Sequence, residues 1–458
     1  MTNKSGLAVV PIFLLILVIV VPAFVYFFFE WEEPRVSLDA DLDTIGRKKS
    51  ITLTVSDDRS GIRDMTVAIV QGQAEYEVTS LSLPMKGTFE KTVDLEIEPR
   101  KIGIKDGPAT IRIEIRDFSP LKNAATLEVP VTIDTVLPRI SLLTTAHNVN
   151  PGGACLAVYS LDKKVETSGV VCGEDFFRGY PVQEGATTLY VCYFAVPRDV
   201  TRATTMTVTA EDAAGNRAGA SIPFFVRTAH TFRDDTVRVG PEFINGVAAR
   251  FQQEDPELEG LEPVEVFRHI NETIRAENGR KIVSICARSD GSQLWDGAFL
   301  RMPNTAPKAL FGDRRTYRHQ GAVLGSSVHL GVDLASVMRD AVPAANSGTI
   351  VHADDLGIYG NTVVIDHGQG IFSLYAHLSN MSVSAGQGVK RGDIIGNTGA
   401  TGFAGGDHLH FSVIVGGVFV NPIEWWDPHW IRDNVTIKLE IIPGYAGGAL
   451  AMAAFGQG

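Results

Sequence analysis

The chain has 458 residues and a net charge of −12, from 41 Lys plus Arg against 53 Asp plus Glu. At a prior of roughly 150 residues per domain, this length corresponds to about three domains. The acidic balance leaves no wide basic surface, so nucleic-acid binding is not expected. With 45 glycines, 22 prolines and no Gly-X-Y period, the composition excludes collagen and predicts short strands joined by tight turns.

The first apolar segment, residues 7–29, consists of 23 consecutive uncharged residues. At ~1.5 Å per residue, a helix of this length crosses a hydrocarbon core of ~30 Å. A cleaved signal peptide is the alternative, but its apolar stretch spans about 7–15 residues and ends in a small-x-small site, which is missing here. Lys4 precedes the segment and Glu30 follows it. We therefore expect a single-pass protein of the cytoplasmic (inner) membrane, anchored within residues 1–34, with its N-terminus inside and the remaining chain on the periplasmic or extracytoplasmic side.

Two successive segments after the anchor, residues 35–134 and 135–228, have the pattern of β-sheet. Their short stretches alternate β-branched and polar residues at period two, as in residues 50–55, 109–115 and 125–133. A similar turn occurs late in each segment, at residues 116–123 and 211–216. The sequence therefore predicts a mainly β, multi-domain chain that begins with two immunoglobulin-like β-sandwiches.

Residues 229–310 differ from their neighbours and predict a partly helical connector. Apolar residues occur there at helical spacing, at Val264, Phe267, Ile270 and Ile274. Gly279 is the expected end of this helix. Residues 311–432 return to glycine-punctuated strand sequence, which predicts a further β domain, and residues 433–458 are expected to form a C-terminal tail.

The cysteines leave two alternatives open. Cys155, Cys172, Cys192 and Cys286 allow three pairings, and an outward-facing location permits a disulfide within the second β segment. Buried free thiols are the other alternative. No CxxC pair occurs, so a zinc site built from cysteines is not expected.

Three short motifs lie among residues 311–432, which contain eight of the eleven histidines. They are HLGVD at 329–333, YAHL at 375–378 and DHLHF at 407–411. A catalytic zinc ion commonly has three protein ligands, such as imidazoles and a carboxylate, and one open position. The motifs contain residues able to supply this set, namely His329, Asp333, His377, His408 and His410.

The period of a β-strand predicts how these side chains point. Alternation around residues 408–415 projects His408 and His410 from one face, and the same rule points His377 out of a strand. Gly331 favours a loop or strand end for the first motif, and no HExxH helix occurs in the chain. The remaining histidines of this region are interpreted as ordinary hydrogen-bonded or surface residues; they are His319, His352, His367 and His429.

These motifs resemble those of the LytM/lysostaphin-type zinc metallo-endopeptidases, which cut peptide cross-links in bacterial peptidoglycan. The resemblance covers residues 311–426 and is carried by the segments 311–315, 342–348, 360–368, 375–378, 389–396, 398–402, 407–411 and 421–422. Upstream, NPGG at 150–153 and FFRGYP at 176–181 look like membrane-anchored bacterial members of this family.

The resemblance implies an antiparallel β fold for residues 311–432, a function, and a role for each site residue. His329, Asp333 and His410 would bind one Zn²⁺ ion, while His377 and His408 would act on water and on the tetrahedral intermediate, in an order that the sequence leaves open. The expected activity is that of a membrane-anchored endopeptidase. Its expected partners are peptidoglycan stem peptides or cross-bridges, and other cell-wall proteins are further possible partners.

Other readings of the sequence compete with this one. A non-catalytic scaffold or activator of cell-wall amidases is the main alternative, and adhesion through the β-sandwiches alone is another. Tyr375 and Arg314 could contact substrate, although a packed tyrosine and a solvated arginine are favoured. Inhibition of the site by the connector is left open, as are the oligomeric state and the cross-link that is cleaved.

Overall fold

The computed structural model describes residues 18–21, 30–39, 42–183, 187–227 and 232–445, and this part of the chain is mainly β. Within those ranges no helix combines the length and the apolar character needed to cross a membrane. The predicted span, residues 7–29, lies outside the described residues except for residues 18–21. The chain divides into two compact units, Met1–Pro138 with Glu211–Arg217, and Arg139–Ala210 with Ala218–Gly458.

The first unit contains two sheets. Its strands are β1 (Arg35–Leu38), β2 (Thr44–Ile45), β3 (Lys49–Ser56), β4 (Ile62–Gln71), β5 (Ala74–Ser82), β6 (Glu90–Ile97), β7 (Gly107–Asp117) and β8 (Ala124–Ile133). One sheet has the order β1-β3-β6 and the other β2-β8-β7-β4-β5. Alternate residues of β3 and β7, such as Leu53 and Ile113, are buried in one shared core. The strands predicted at residues 50–55, 109–115 and 125–133 are thus confirmed, while the immunoglobulin-like class stays a prediction.

The second unit begins with a further group of strands. They are β9 (Ile140–Leu142), β10 (Asn148–Val149), β11 (Ala154–Leu161), β12 (Thr167–Cys172), β13 (Asp175–Arg178), β14 (Tyr180–Gln183), β15 (Thr188–Ala195), β16 (Met206–Glu211), β17 (Arg217–Ser221) and β18 (Phe225–Val226). Two sheets have the orders β14-β15-β11-β9 and β13-β12-β16-β17, and β10 pairs with β18. All four cysteines are buried free thiols, so of the two alternatives the structure shows the one without a disulfide.

The region predicted as a connector contains strand β19 (Asp234–Arg238) and the helices α1 (Pro241–Glu254), α2 (Pro263–His269) and α3 (Arg275–Ile285). A π-helical turn, Ile270–Ile274, joins α2 to α3, so the predicted helix is confirmed. The predicted end at Gly279 is wrong. The apolar face continues to the fully buried Ile282, and burial of this face outweighs the cost of about 1 kcal/mol that a glycine carries inside a helix.

The C-terminal part of the second unit contains the largest sheet. Its strands are β20 (Ala306–Ala309), β21 (Arg314–His319), β22 (Ala322–Val328), β23 (Val332–Ala335), β24 (Ala341–Pro343), β25 (Gly348–Asp355), β26 (Asn361–Asp366), β27 (Ile371–Ala376), β28 (Asn380–Met381), β29 (Gly388–Val389), β30 (Ile394–Asn397), β31 (Leu409–Val415) and β32 (Val418–Val420). The short helices α4 (Pro422–Trp426), α5 (Pro428–Ile431) and α6 (Ile437–Leu439) follow. The large sheet has the antiparallel order β20-β23-β31-β27-β26-β25-β29, with β32 beside β31. Smaller sheets have the orders β19-β21-β22 and β24-β30-β28.

Both faces of the large sheet are covered. On one face Phe411 and Val413 of β31 join a core that continues into β11 and β15. On the other face Phe372 and Leu374 of β27 pack with residues of α1, α2 and α3. Because β31 is buried along its whole length, polar side chains on it are held away from bulk water.

The C-terminal segment differs from the predicted tail in its first part. Val435, Leu439 and Ile442 are buried in the core that includes the large sheet. Residues 433–445 therefore belong to the folded unit. The rest of the predicted tail, residues 446–458, lies outside the described residues.

The NPGG motif at residues 150–153 packs against the beginning of helix α4. One carboxylate oxygen of Glu424 accepts a hydrogen bond from Asn150 Nδ2 at 2.6 Å, and the other accepts one from Ala154 N at 2.8 Å. A Cβ at Gly153 would come within 2.4 Å of this carboxylate, so only glycine permits the approach. The motif thus joins the upstream strands of the second unit to its C-terminal part.

Candidate functional site

Strand register brings the first and third histidine motifs together. Asp333 on β23 is the direct cross-strand partner of His410 on β31. Asp333 Oδ1 lies 2.8 Å from His410 Nδ1 and 2.9 Å from Nε2 of His329, which precedes β23. The two imidazole nitrogens are 3.1 Å apart. Two nitrogens and a carboxylate oxygen therefore converge on one point.

Hydrogen bonds on the far side of each ring fix which nitrogen faces this point. His329 Nδ1 donates to the carbonyl of Leu310 at 2.9 Å. Ser412 donates its hydroxyl proton to the carbonyl of Leu330, so its oxygen accepts from His410 Nε2 at 3.1 Å. Both rings consequently present a lone pair towards Asp333. Two imidazole lone pairs and a carboxylate oxygen that converge at these distances form a set able to bind a cation, and two imidazoles with one carboxylate suit zinc.

Arg315 holds the other oxygen of the same carboxylate. Its Nη2 donates to Asp333 Oδ2 at 3.1 Å, which leaves Oδ1 to face the imidazoles. Burial alone would raise the pKa of Asp333, but the surrounding His329, His408 and His410 hold it well below its usual value. Asp333 is therefore ionised at neutral pH.

Gly331 permits the close packing behind His410. A Cβ at this position would lie 2.5 Å from the carbonyl oxygen of Phe411, 2.5 Å from Ser412 Oγ and 2.7 Å from His410 Nε2. Side chains do not approach one another this closely, so the loop between His329 and Asp333 needs glycine here. The sequence interpretation of Gly331 as part of a loop or strand end is confirmed, since β23 begins at Val332.

His377 reaches the site by a route that strand alternation does not predict. Ala376, the last residue of β27, is the cross-strand partner of His410 and shares its face, so an extended continuation would point His377 to the opposite face. Instead His377 has a φ of 63°, in the left-handed region. Its backbone N–H donates to the carbonyl of Tyr359 at 2.8 Å, and its Nδ1 donates to the carbonyl of Thr401 at 2.9 Å. These two bonds hold the ring 5.8 Å, between centroids, from that of His410.

His408 lies immediately before β31, on the face of His410 as predicted. Its Nδ1 donates to the carbonyl of Gly406 at 2.8 Å, and its Nε2 is 3.6 Å from Asp333 Oδ1. The rings of His408 and His377 are 4.9 Å apart, between centroids. Each ring thus has its Nδ1 bound to a backbone carbonyl and its Nε2 left for chemistry.

The two rings differ in their electrostatics. Burial lowers the pKa of His377 well below its usual value, and the neighbouring His408 and His410 lower it further. Burial also acts to lower the pKa of His408, but the adjacent Asp333 carboxylate outweighs it, and the net direction is upward. The pKa values of the two rings therefore shift in opposite directions, because His377 faces other histidines and His408 faces a carboxylate.

The site opens into a pocket of about 590 Å³. His329, Asp333, His377, His408 and His410 all line it. The opposite wall comes from β19, the start of α1 and the loop around Phe403. Basic side chains also line the pocket, namely Arg238, Arg275, Lys308 and Arg315. Part of the region predicted as a connector is thus a wall of the pocket.

The other residues singled out in the sequence lie apart from the converging ligand atoms. Tyr375 is buried and its hydroxyl accepts a hydrogen bond from Ala345 N at 2.7 Å, as expected for a packed tyrosine. The side chain of Arg314 is 58% exposed, as expected for a solvated arginine. His367 is bonded through both ring nitrogens, to Ser347 O and Ser373 Oγ. None of them lines the pocket described above.

Sequence reasoning missed Arg315 and Ser412. Arg315 ends the segment 311–315, which carries the family resemblance, and Ser412 directly follows the segment 407–411. For Arg315 the sequence contained no signal, because two adjacent arginines on a strand do not indicate which one faces the site. For Ser412 a signal was present, because it lies two residues after His410 and therefore on the same face of the strand.

Comparisons with known proteins agree with this geometry. The model of peptidase family M23 matches residues 327–422. DD-carboxypeptidase/endopeptidase Mpg of Neisseria meningitidis is 41% identical over 96 residues, 21% of this chain and 22% of that protein. Peptidoglycan DD-endopeptidase ShyA of Vibrio cholerae is 40% identical over 96 residues, with the same coverage of 21% and 22%.

Among solved structures, the catalytic domain of the antimicrobial peptidase lysostaphin from Staphylococcus simulans is 29% identical, with a TM-score of 0.23, over 27% of this chain and 92% of that one. The chain spans about a fifth of the length of Mpg and of ShyA, so the similarity to them concerns the region of the histidine motifs. The chain therefore carries a peptidase family M23 domain in its C-terminal part, at residues 327–422.

Proposed function

We propose that the chain is a membrane-anchored zinc endopeptidase that hydrolyses peptide cross-links in bacterial peptidoglycan. The observation that carries this proposal is the convergence of His329, Asp333 and His410, with His377 and His408 beside them at the mouth of one pocket. The M23 match and the endopeptidase names of similar proteins support the same reaction class.

In this proposal His329 Nε2, His410 Nδ1 and an oxygen of Asp333 hold the zinc ion. When bound, zinc polarises a carbonyl group and lowers the pKa of water towards neutrality. Ser412, the Leu310 carbonyl and Arg315 keep the three ligands in position, since each binds the side of a ligand that faces away from the shared point.

His377 and His408 accept and donate protons during the proposed reaction. The Nδ1 of each ring is bonded to a backbone carbonyl, so each can accept or donate a proton only through Nε2. One ring takes the proton of the attacking water and later passes it to the leaving amine, while the other, protonated at Nε2, donates a hydrogen bond to the developing oxyanion of the peptide.

The basic wall of the pocket suits the proposed substrate. Stem peptides of peptidoglycan carry free carboxylates, and Arg238, Arg275 and Lys308 place positive charge beside the histidines. Charged hydrogen bonds to such carboxylates would orient the peptide with its scissile bond at the site.

The proposed location is the outer side of the cytoplasmic membrane. Residues 7–29 would form the anchor, with the N-terminus inside, because the run is long, apolar and preceded by Lys4. The upstream β units would then act as a spacer that carries the peptidase domain to the cell wall.

The test is digestion of purified cross-linked peptidoglycan, with muropeptides analysed by mass spectrometry. We expect new free amines and monomeric muropeptides, loss of this activity with a chelator, and its recovery with Zn²⁺. His377→Gln and His408→Gln should each lower the rate by at least about 10²-fold, whereas His429→Ala, at an exposed surface position, should not. Absence of zinc from the purified protein together with unchanged muropeptides would refute the proposal.

A non-catalytic scaffold or amidase activator makes the opposite prediction. Under that alternative the double variant His329→Ala, His410→Ala would keep a normal cell-wall phenotype. The presence of ligand residues, both further histidines and their supporting hydrogen bonds favours the enzyme.

A further inference from the structure

A second group of converging acidic side chains lies in the first unit, far in sequence from the M23 domain. Glu30, Asp57 and Asp117 are all buried, with relative exposures of 5%, 4% and 0%. One carboxylate oxygen from each lies within 4.8 Å of one from each of the others. Burial and the nearby Asp57 and Asp117 raise the pKa of Glu30, although Ser60 and the positive charge of Arg59 act in the opposite direction, so a cation among the three carboxylates would relieve the repulsion that is left.

Two of these carboxylates also serve the fold. Asp57 Oδ1 accepts from the backbone N–H of Gly61 at 2.6 Å, and Asp117 Oδ1 accepts from that of Ser119 at 3.0 Å. Asn123 Nδ2 donates to Asp117 Oδ2 at 2.9 Å. These bonds fix Asp57 and Asp117 in tight turns, but they do not explain why a third carboxylate should approach them.

Glu30 is the residue that a fold-stabilising role leaves unexplained. Within the described part of the chain, neither of its carboxylate oxygens has a hydrogen-bond partner, although both are inaccessible to solvent. The hydroxyl of Ser60, in the same loop as Asp57, is likewise inaccessible and unpartnered among the described residues. A buried, unpartnered carboxylate costs several kcal/mol in general, so its presence beside two further carboxylates calls for a ligand.

The three residues come from separate segments of the unit. Asp57 directly follows β3, which belongs to one sheet, and Asp117 ends β7, which belongs to the other. Glu30 lies before β1 and follows the predicted membrane anchor directly in sequence. Asn123 links two of these segments, since its side-chain amide, which is bonded to Asp117, also donates to the backbone carbonyl of Glu30 at 2.9 Å.

We infer that Glu30, Asp57 and Asp117 bind a calcium ion that joins both sheets of the first unit to the segment following the anchor. The ligand atoms are all oxygens, which suits a hard divalent cation and not zinc. Calcium fits better than magnesium because the carboxylates come from two strand ends and the segment before β1, and calcium accepts irregular geometry whereas magnesium demands an octahedron. Bound calcium would hold the segment before β1 against both sheets of the first unit.

The test is equilibrium dialysis of the full-length, detergent-solubilised protein against ⁴⁵Ca²⁺, combined with thermal unfolding with and without CaCl₂. We expect one saturable calcium per chain, with a dissociation constant on the order of 10⁻⁴ M, as in extracellular calcium modules. Calcium should raise the melting temperature, and MgCl₂ at the same concentration should raise it less.

Glu30→Gln is the decisive variant, because the carboxylate it removes makes no hydrogen bond with the described residues. It should weaken calcium binding at least about tenfold. In calcium-free buffer it should melt at the same temperature as the unaltered protein or above it, because one repelling charge is gone. A purely structural role for Glu30 predicts the reverse, a lower melting temperature with no change in calcium binding.

Two controls separate this site from other carboxylates. Asp212→Asn alters a buried turn aspartate that accepts hydrogen bonds from Ala214 and Asn216, so it should lower the melting temperature but leave calcium binding intact. Asp333→Asn, in the M23 domain, should also leave calcium binding intact. Failure to bind calcium at millimolar concentration, equal binding by Glu30→Gln, or an equal response to magnesium would overturn the inference.

Discussion

The guanidinium of Arg315 lies 3.1 Å from Oδ2 of Asp333, while Oδ1 of the same carboxylate lies within 2.9 Å of nitrogens of His329 and His410. One oxygen of the carboxylate thus binds the arginine, and the other faces the two histidines. The arginine fixes its rotation, and the rotation decides which oxygen meets the histidines.

Arg315→Ala should therefore weaken zinc binding without unfolding the domain. Loss of a group that orients a metal ligand typically lowers metal affinity about 10–100-fold. Competition with a chromogenic chelator measures this affinity directly, independently of activity. Arg314→Ala is the matched control, because that neighbouring side chain is 58% exposed and its ion pair with Asp234 is long, at 3.9 Å. Equal zinc affinity in both variants would show that Arg315 does not position Asp333.

Replacing glycine by alanine at two positions should change the free energy of unfolding in opposite directions. Gly331→Ala would force a Cβ to within 2.5 Å of the carbonyl oxygen of Phe411, and such overpacking costs about 1–3 kcal/mol of unfolding free energy. Gly279→Ala lies within helix α3 with nothing within 4 Å of its Cβ, so it should stabilise by roughly 0.5–1 kcal/mol. Chemical denaturation of both variants checks the signs. Equal effects would mean that the loop at Gly331 relaxes freely.

Tyr375→Phe distinguishes a packed tyrosine from a substrate contact. The hydroxyl accepts a hydrogen bond from Ala345 N and is also hydrogen-bonded to Ser373 Oγ, so its removal leaves a buried N–H unsatisfied. The free energy of unfolding should fall by about 1–3 kcal/mol. The kcat/KM of the folded variant on a cross-linked muropeptide should stay unchanged. A large fall in kcat/KM at unchanged stability would assign Tyr375 to substrate binding instead.

Glu424 should make stability depend on pH. Burial raises its pKa to about 7 from an ordinary value of 4.5, and the hydrogen bonds from Asn150 and Ala154 offset this only in part. Between pH 4.5 and 7 the folded state therefore binds more protons than the unfolded state at this group. Its contribution to the free energy of unfolding is fully present below pH 4.5 and decreases as the pH rises towards 7, with a slope of at most about 1.4 kcal/mol per pH unit.

Comparison with Glu424→Gln isolates this contribution. Burial lowers the pKa of His147 and of His367 to about 4, so these groups act in the opposite direction between pH 4 and 6.5. They are common to both proteins and cancel in the difference. The stability difference between the unaltered protein and Glu424→Gln, from thermal unfolding at several pH values, should become less favourable to the unaltered protein as pH rises. A difference that is constant with pH would contradict the raised pKa.

The sequence alone determined the local features of this protein. Period-two alternation located strands such as β3, β7 and β8, because a strand with one buried face has an apolar residue at every second position. The spacing of the histidine motifs indicated the M23 domain, since a metal site constrains residue types and not only their polarity. The helical segment around Phe267 was predicted from apolar residues at helical spacing. Its end was placed six residues too early, at Gly279 instead of Ile285.

Only the tertiary structure decided how these pieces meet. That Asp333 stands opposite His410 depends on strand register, which is a relation between segments 77 residues apart. That His377 turns towards the site depends on a left-handed φ held by the carbonyls of Tyr359 and Thr401, against the alternation of its own strand. Local periodicity records which face of an element is buried, but the partner of that face is chosen by packing over long distances in the chain.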